Sequence, residues 1–198
     1  MKKNERLKSF ASEAISLIET IFISMFVVTM IFTYVLRIAT VKGESMENTL
    51  MPEDRLVTSA WYFTPEQGDI VIIDANESVL LSEDNTPEFH SGLGKNIVKR
   101  IIATAGQTVD IDFERGAVYV DDVMLDESYI TGLTHIDEGA FSEQYPITVP
   151  EGYVFVMGDN RQVSKDSRSS EIGFVAIDNI VGEVLFRLSP ISNFGAVD

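Results

Sequence analysis

The chain has 198 residues, 45% of them hydrophobic and 23% charged, with 13 Gly and 6 Pro. This composition excludes disordered and collagen-like proteins, and the length suits one domain with a real core or a domain plus a small appendage. The absence of cysteine excludes disulfide scaffolds, zinc–thiolate sites and thiol nucleophiles. The 15 basic and 31 acidic residues give a formal net charge of −16. Because so acidic a chain repels phosphate backbones, we expect no nucleic-acid partner.

The first predicted element is a membrane-spanning helix close to the N-terminus. Residues 20–36 carry no charge, and as a helix they cover about 26 Å of the roughly 30 Å bilayer core. Extending the helix back to residue 15 closes this gap. The preceding segment is basic, and positively charged flanks stay in the cytoplasm. Its basic residues are Lys2, Lys3, Arg6 and Lys8.

The sequence therefore predicts a single-pass membrane protein in three parts. We expect a cytoplasmic N-terminus at residues 1–14, a transmembrane signal anchor at residues 15–36 and an extracytoplasmic domain at residues 37–198. A cleaved signal peptide is one alternative, but no clean Ala-x-Ala site follows the apolar run. A buried core helix is the other, and a segment that is apolar on every face argues against it.

After the anchor, β-branched runs bounded by turn residues predict a mainly β domain with antiparallel strands. The polar residues 75–95 are expected to form a surface loop. A small β subdomain is expected at about residues 107–150. It would be inserted between the predicted strand at residues 96–105 and the motif at residues 158–168. The predicted strands are residues 55–59, 68–74, 96–105, 109–113, 118–120, 123–125, 153–157 and 179–188.

Three segments contain candidate catalytic residues, and the first is residues 43–50 (GESMENTL). It places Ser45 in a polar loop just beyond the anchor. On its own, a serine in such a loop is more often a turn or capping residue than a nucleophile.

The second segment is the predicted strand at residues 96–105, which has Lys99 and Arg100 at its centre. Strand alternation puts these two side chains on opposite faces, so whichever face is buried must accommodate a cation. A buried ammonium can lose its proton, whereas a guanidinium cannot. Lys99 is therefore the candidate general base. The alternative is a lysine that snorkels to solvent at the sheet edge.

The third segment is residues 158–168 (GDNRQVSKDSR), directly after the strand predicted at 153–157. Asp159, Asp166 and Arg168 are suited to hold a rigid turn through ion pairs, and a purely structural loop is the alternative. The acidic residues lack the spacing of a calcium loop, and the chain contains no phosphate-binding glycine motif. We therefore expect neither a metal nor a cofactor.

In combination the segments resemble type I signal peptidase in its bacterial form, which has a Ser-Lys dyad. This family of membrane-bound serine endopeptidases removes signal peptides from exported preproteins. The resemblance spans nearly the whole chain, because the anchor and all the motifs follow the family's order. It implies a hydrolase whose partners are signal peptides and the lipid bilayer, located in the cell membrane. The oligomeric state is left open.

The resemblance also implies a role for individual residues. Ser45 matches the nucleophile, and Lys99 matches the general base. Ser164 matches a hydroxyl that helps to orient the lysine. The residues that match the family's bracing positions are Asp159, Asp166 and Arg168.

The chain departs from the family pattern in two single positions and one short segment. Asn48 stands in place of a proline, so the serine loop lacks that restraint on φ. Gly43 stands where some relatives have a hydroxyl that contacts the oxyanion. Residues 103–107 (ATAGQ) keep the family's glycine but lack its proline and acid. Two other functions remain open from the sequence: a Ser-Lys peptidase with one dedicated substrate, and a non-catalytic external binding module.

Overall fold

The computed structural model describes residues 2–59, 64–82, 84, 86–141 and 144–197, with side chains from residue 12 onward. Met1 and the side chains of the basic N-terminal residues lie outside the described part.

One long helix, α1 (Lys2–Tyr34), opens the chain. Its portion Ser12–Tyr34 is long and apolar enough to cross a membrane, and none of its most apolar stretch is buried against the protein. Lipid favours a helix there despite the β-branched residues, because every backbone polar group must be bonded internally. The helix ends at Tyr34, and the first strand begins two residues later at Leu36.

The remainder of the described chain is mainly β, which confirms the predicted fold class. Two short 3-10 helices, Ile177–Asn179 and Ile191–Asn193, flank the last long strand. The strands are β1 (Leu36–Thr40), β2 (Arg55–Ser59), β3 (Ile70–Asp74), β4 (Glu77–Leu81), β5 (Pro87–Ser91), β6 (Asn96–Thr104), β7 (Thr108–Asp112), β8 (Ala117–Val120), β9 (Val123–Met124), β10 (Ile147–Thr148), β11 (Tyr153–Met157), β12 (Val175–Ala176), β13 (Ile180–Ser189) and β14 (Gly195–Ala196).

The strands form three antiparallel sheets. The large sheet has the order β1-β2-β13-β3-β6-β11-β12, with β14 paired to β13. A second sheet, β10-β7-β8-β9, is formed by the segment between β6 and β11. The third is the hairpin of β4 and β5. Since β6 lies between β3 and β11, its central residues are held from both sides.

The expectation of a surface loop at residues 75–95 is wrong, because most of this segment forms the β4–β5 hairpin. The hairpin is held by a distant part of the chain. The Val79 amide donates to the Ile172 carbonyl at 3.0 Å, and the Phe174 amide donates to the Val79 carbonyl at 2.8 Å. Such tertiary partners override a polar composition.

The described residues form three apolar core clusters, and two of them position the elements around the site. In the larger one, Phe141 packs between the two larger sheets, with its ring 4.7 Å from Phe174 and 6.3 Å from Phe155. In the other, Met46 and Leu50 are buried against the face of the large sheet. The loop between β1 and β2 is thereby fixed to the sheet.

We expect Phe141→Ala to lower the free energy of unfolding by about 3–5 kcal/mol, because truncating a fully buried ring leaves a cavity. Urea unfolding of the full chain in detergent, followed by circular dichroism, measures the change. Phe89→Ala is the matched control, since that ring is 59% exposed, and its effect should stay below about 0.5 kcal/mol. Equal losses in the two variants would contradict the packing described.

Candidate active site

The loop between β1 and β2 presents Ser45. Its neighbour Met46 is 1% exposed and Leu50 is fully buried, and the Leu50 amide donates to the Met46 carbonyl at 2.7 Å. Burial of these two side chains fixes the loop and leaves Ser45 half-buried at the surface of a cleft. The Ser45 carbonyl accepts a hydrogen bond of 3.0 Å from the Asn160 amide.

Lys99 extends from β6 to this serine. Its Nζ donates to Ser45 Oγ at 2.7 Å and to the Val98 carbonyl at 2.8 Å. The lysine side chain is 2% exposed. Burial lowers its pKa from 10.5 to about 8, although the charges of Asp166 and Asp159 act in the opposite direction. The structure thus places the two predicted catalytic residues in hydrogen-bonding contact.

The adjacent Arg100 points to the other side of β6 and is also buried. Its Nε and Nη2 donate to the two carboxylate oxygens of Asp159 at 2.9 and 2.8 Å. The Thr49 hydroxyl donates to the same carboxylate. Asp159 therefore ties together the lysine strand, the serine loop and its own turn. The sequence identified Asp159 as a bracing residue, but Arg100 and Thr49 were missed.

Asp166 and Arg168 form a second ion pair with no solvent exposure. Arg168 Nε and Nη2 donate to the Asp166 oxygens at 2.8 and 2.9 Å, and the Gly158 amide donates to Asp166 at 3.0 Å. Burial alone would raise the pKa of Asp166, but the charge and hydrogen bonds of Arg168 hold it below its usual value. Both residues lie where the sequence predicted a braced turn.

Glycine is required at position 158 because the Ser45 carbonyl and the Ser164 side chain lie very close to its Cα. A Cβ at this position would lie 2.4 Å from the Ser45 carbonyl oxygen and 2.1 Å from Ser164 Oγ. Any larger residue would push the serine loop away from the turn at residues 158–168.

Ser164 lies in the same region, but its predicted contact with the lysine is not among the hydrogen bonds of Lys99 Nζ. The Ser164 side chain is fully buried, and a hydrogen bond from its hydroxyl helps to lower the pKa of Asp166. Its role as an orienting group stays a prediction.

Arg161 is a further bracing residue that the sequence did not reveal. It is 1% exposed, and its Nε donates to the Gly158 carbonyl at 3.0 Å. Its other nitrogens donate to Thr134 Oγ1 at 2.7 Å and to a carboxylate oxygen of Glu127 at 2.5 Å. These partners are 27 and 34 residues away in sequence, so local patterns could not disclose them.

A cleft of about 980 Å³ leads to the serine and lysine. One wall consists of residues 37–46 and the other of residues 95–99. β11 pairs with β6 over Arg100–Thr104, so the Asn96–Val98 half of β6 faces the cleft. In the part of the chain that the structure describes, no cluster of three His, Asp or Glu side chains is arranged to hold a metal.

Comparison with known proteins decides the family. The family described as "Signal peptidase, peptidase S26" matches residues 14–189. Signal peptidase IB of Staphylococcus aureus is 31% identical over 207 residues, which cover 97% of this chain and 94% of that protein. This chain belongs to the signal peptidase family S26. Family membership makes it a serine endopeptidase of the signal peptidase I type.

Two further signal peptidases are similar. A probable signal peptidase I-1 of Synechocystis sp. is 37% identical over 158 residues, covering 78% of this chain and 72% of that protein. A crystal structure of a signal peptidase I from Enterococcus faecalis has a TM-score of 0.42 and 26% identity, covering 62% of this chain and 98% of that chain.

Burial of Lys99 should make this signal peptidase more stable at high pH. Since the pKa is about 8 when folded and 10.5 when unfolded, the unfolded state binds more protons between these values, and stability rises with pH across that window. Lys99→Met should remove this rise, which is on the order of a few kcal/mol, and should be more stable than the parent at pH 7. Thermal unfolding from pH 7 to 10.5 measures both effects.

Lys42→Met is the control for this titration, because that lysine is exposed and lies in the serine loop instead of next to Lys99 on β6. It should keep the parent's pH dependence of stability. A parent chain whose stability follows that of Lys99→Met across the whole pH range would contradict the burial argument.

Proposed function

We propose that this chain cleaves signal peptides from exported preproteins with Ser45 as nucleophile and Lys99 as general base. The observation that carries the proposal is the 2.7 Å hydrogen bond between a buried lysine amine and a serine hydroxyl at the end of a peptide-sized cleft. Serine is a weak nucleophile until a base removes its proton, and a neutral amine can do so.

Burial prepares Lys99 for this role. With a pKa of about 8, about one tenth of the lysine is neutral at pH 7, against less than one thousandth at its ordinary pKa. The neutral amine accepts the Ser45 proton as Oγ bonds to the carbonyl carbon of the scissile peptide. The resulting ammonium then protonates the departing amine, and the C–N bond breaks. The acyl part of the substrate is then joined to Ser45 Oγ as an ester. A water molecule, deprotonated by the same amine, hydrolyses this ester and releases Ser45.

The oxyanion formed in both steps needs preorganised hydrogen-bond donors. The amide of Ser45 is the donor that we expect. A side-chain hydroxyl two residues earlier is not available, because residue 43 is glycine.

Four other side chains have positioning roles in this proposal: Asp159, Asp166, Arg168 and Ser164. The carboxylates of Asp159 and Asp166, each buried in an ion pair with an arginine, keep the turn next to the serine loop. Ser164 would hold the lysine amine. Its hydroxyl is buried beside the serine loop: a Cβ on Gly158 would lie 2.1 Å from Ser164 Oγ and 2.4 Å from the Ser45 carbonyl oxygen.

The substrate would bind as an extended strand. The cleft runs between the segment after the anchor and the Asn96–Val98 half of β6, whose second backbone edge is not paired with β11. A peptide in the cleft can therefore add to β6 by main-chain hydrogen bonds. The residues just before the cut would have to be small, as the resemblance implies.

The domain would lie outside the cell, with the N-terminus in the cytoplasm. The basic residues before the apolar helix favour this orientation. The outward face of the large sheet near the anchor is apolar, with Ile38, Phe186 and Phe194 exposed. Ile38 and Phe186 both pair with Val57, so they share one face. Such a face suits the surface of a lipid bilayer.

The cleavage test uses the purified full chain in detergent and a preprotein with an Ala-x-Ala site. The parent should cut after the second alanine. Ser45→Ala and Lys99→Ala should remain folded by circular dichroism and lose at least about 10³-fold in kcat/KM. Arg115→Ala, an exposed change in the second sheet, should cleave at the parent rate. Activity that survives Lys99→Ala would mean that another group is the base.

The rate should also follow the ionisation of Lys99. Because the neutral amine is the active form, kcat/KM should fall about tenfold per pH unit below pH 8 and level off above it. Cleavage measured from pH 5.5 to 10 gives the profile. A rate that is flat between pH 6 and 8 would show that Lys99 is not the group that titrates.

A further inference from the structure

The basic residues of this acidic domain are unevenly distributed. From residue 37 onward there are 11 basic and 28 acidic residues. Lys99 is in the proposed dyad, and five arginines are paired with carboxylates elsewhere in the fold. Of the five that remain, four line the cleft that holds Ser45. These four are Arg37, Lys42, Lys95 and Lys165.

The four cleft cations are exposed. Arg37, Lys42 and Lys95 form no ion pair with any described residue. Lys165 approaches Glu138 at 3.5 Å and Glu171 at 3.6 Å. Glu44 is the one acidic residue among the described residues that line the cleft. The cleft is therefore cationic, whereas the domain around it is strongly anionic.

The positions of these cations follow the expected path of the peptide. Lys42 precedes Ser45 by three residues, and Lys95 precedes Lys99 by four, which is about 13 Å along a strand. Arg37 lies at the start of β1, three residues after α1 ends. Alternation along β1 puts Arg37 on the same face as its β2 partner Thr58, which also lines the cleft. Apolar side chains, Ile38 among them, line the cleft beside these cations.

We propose that Arg37, Lys42 and Lys95 form a recognition strip that selects signal peptides carrying Asp or Glu shortly before the cleavage site. This inference rests on the proposed function. The apolar part of a signal peptide is in the bilayer and upstream of the cut, so upstream residues lie toward the anchor end of the cleft. Residues about three to eight positions before the cut would pass Lys42, Lys95 and Arg37.

The acidic surface makes the strip selective. A substrate carboxylate is repelled by the domain as a whole, and a cleft lined by the opposite charge concentrates it at one place. Each exposed ion pair changes affinity by up to about fivefold. Salt weakens such pairs because exposed charges are screened.

The test compares three preproteins that differ at two positions, about four and six residues before the cut, where each carries Glu, Gln or Lys. The full chain is assayed in zwitterionic detergent at low and high salt. At low salt, kcat/KM should be about fivefold higher for the Glu substrate than for Gln, and lower again for Lys. These ratios should approach one at high salt.

Two variants assign the preference to the strip. Lys42→Gln combined with Lys95→Gln should bring the ratio of Glu to Lys substrates close to one. Arg55→Gln, which removes an exposed cation of β2 outside the cleft, should keep the parent ratio. A parent ratio near one at low salt overturns the inference, and so does a ratio that the double variant leaves unchanged.

The outcomes separate this inference from the proposed function. Equal cleavage of the three substrates would support the proposed peptidase function and contradict the recognition strip. If none is cleaved, the proposed function fails, and anisotropy of the labelled peptides with Ser45→Ala then measures the charge preference of binding alone. A rate that rises equally for all three substrates in anionic vesicles, and falls in the double variant, would assign the cations to lipid and overturn the inference.

Discussion

The ion pair between Arg100 and Asp159 holds three separate parts of the chain in one place. Both side chains are buried, and the contact is bidentate, with N–O distances of 2.9 and 2.8 Å. Breaking such a pair leaves an uncompensated charge inside the protein, which costs about 3–5 kcal/mol. The Thr49 hydroxyl, in the serine loop, donates a hydrogen bond to the same carboxylate. The strand and the loop joined in this way also carry the 2.7 Å contact between Lys99 and Ser45.

Two adjacent basic residues of β6, Lys99 and Arg100, have different roles because they lie on opposite faces of the strand and contact different groups. Arg100 contacts the Asp159 carboxylate and an aromatic ring, with its guanidinium carbon 4.1 Å from the centroid of Tyr129. Lys99 meets a hydroxyl and a carbonyl, and burial lowers its pKa toward neutrality. Strand alternation alone separates the two faces. One short sequence thus supplies both the base and the support of the proposed site.

Much of this site could be predicted from the sequence, because its residues lie in short motifs with strong local signals. The turn formers and alternating charges of residues 158–168 predict a braced turn. A lysine within an apolar strand leaves open a buried amine or one that snorkels to solvent, and the resemblance to type I signal peptidase is what makes Lys99 the predicted base. The supports contributed by Arg100 and Arg161 could not be predicted, since their partners are 27 to 59 residues away. The β4–β5 hairpin was missed for the same reason, because its partner Ile172 is distant.

The most direct test of the account is a titration of the Lys99 amine in the folded chain. Lysine labelled with ¹³C at Cε gives one NMR signal per residue, and Lys99→Met assigns the signal in the detergent-solubilised protein. The account predicts a midpoint at about pH 8 for Lys99. A midpoint near the ordinary lysine value of about 10.4 would contradict it, because the amine would then be charged at the pH where it must accept the Ser45 proton.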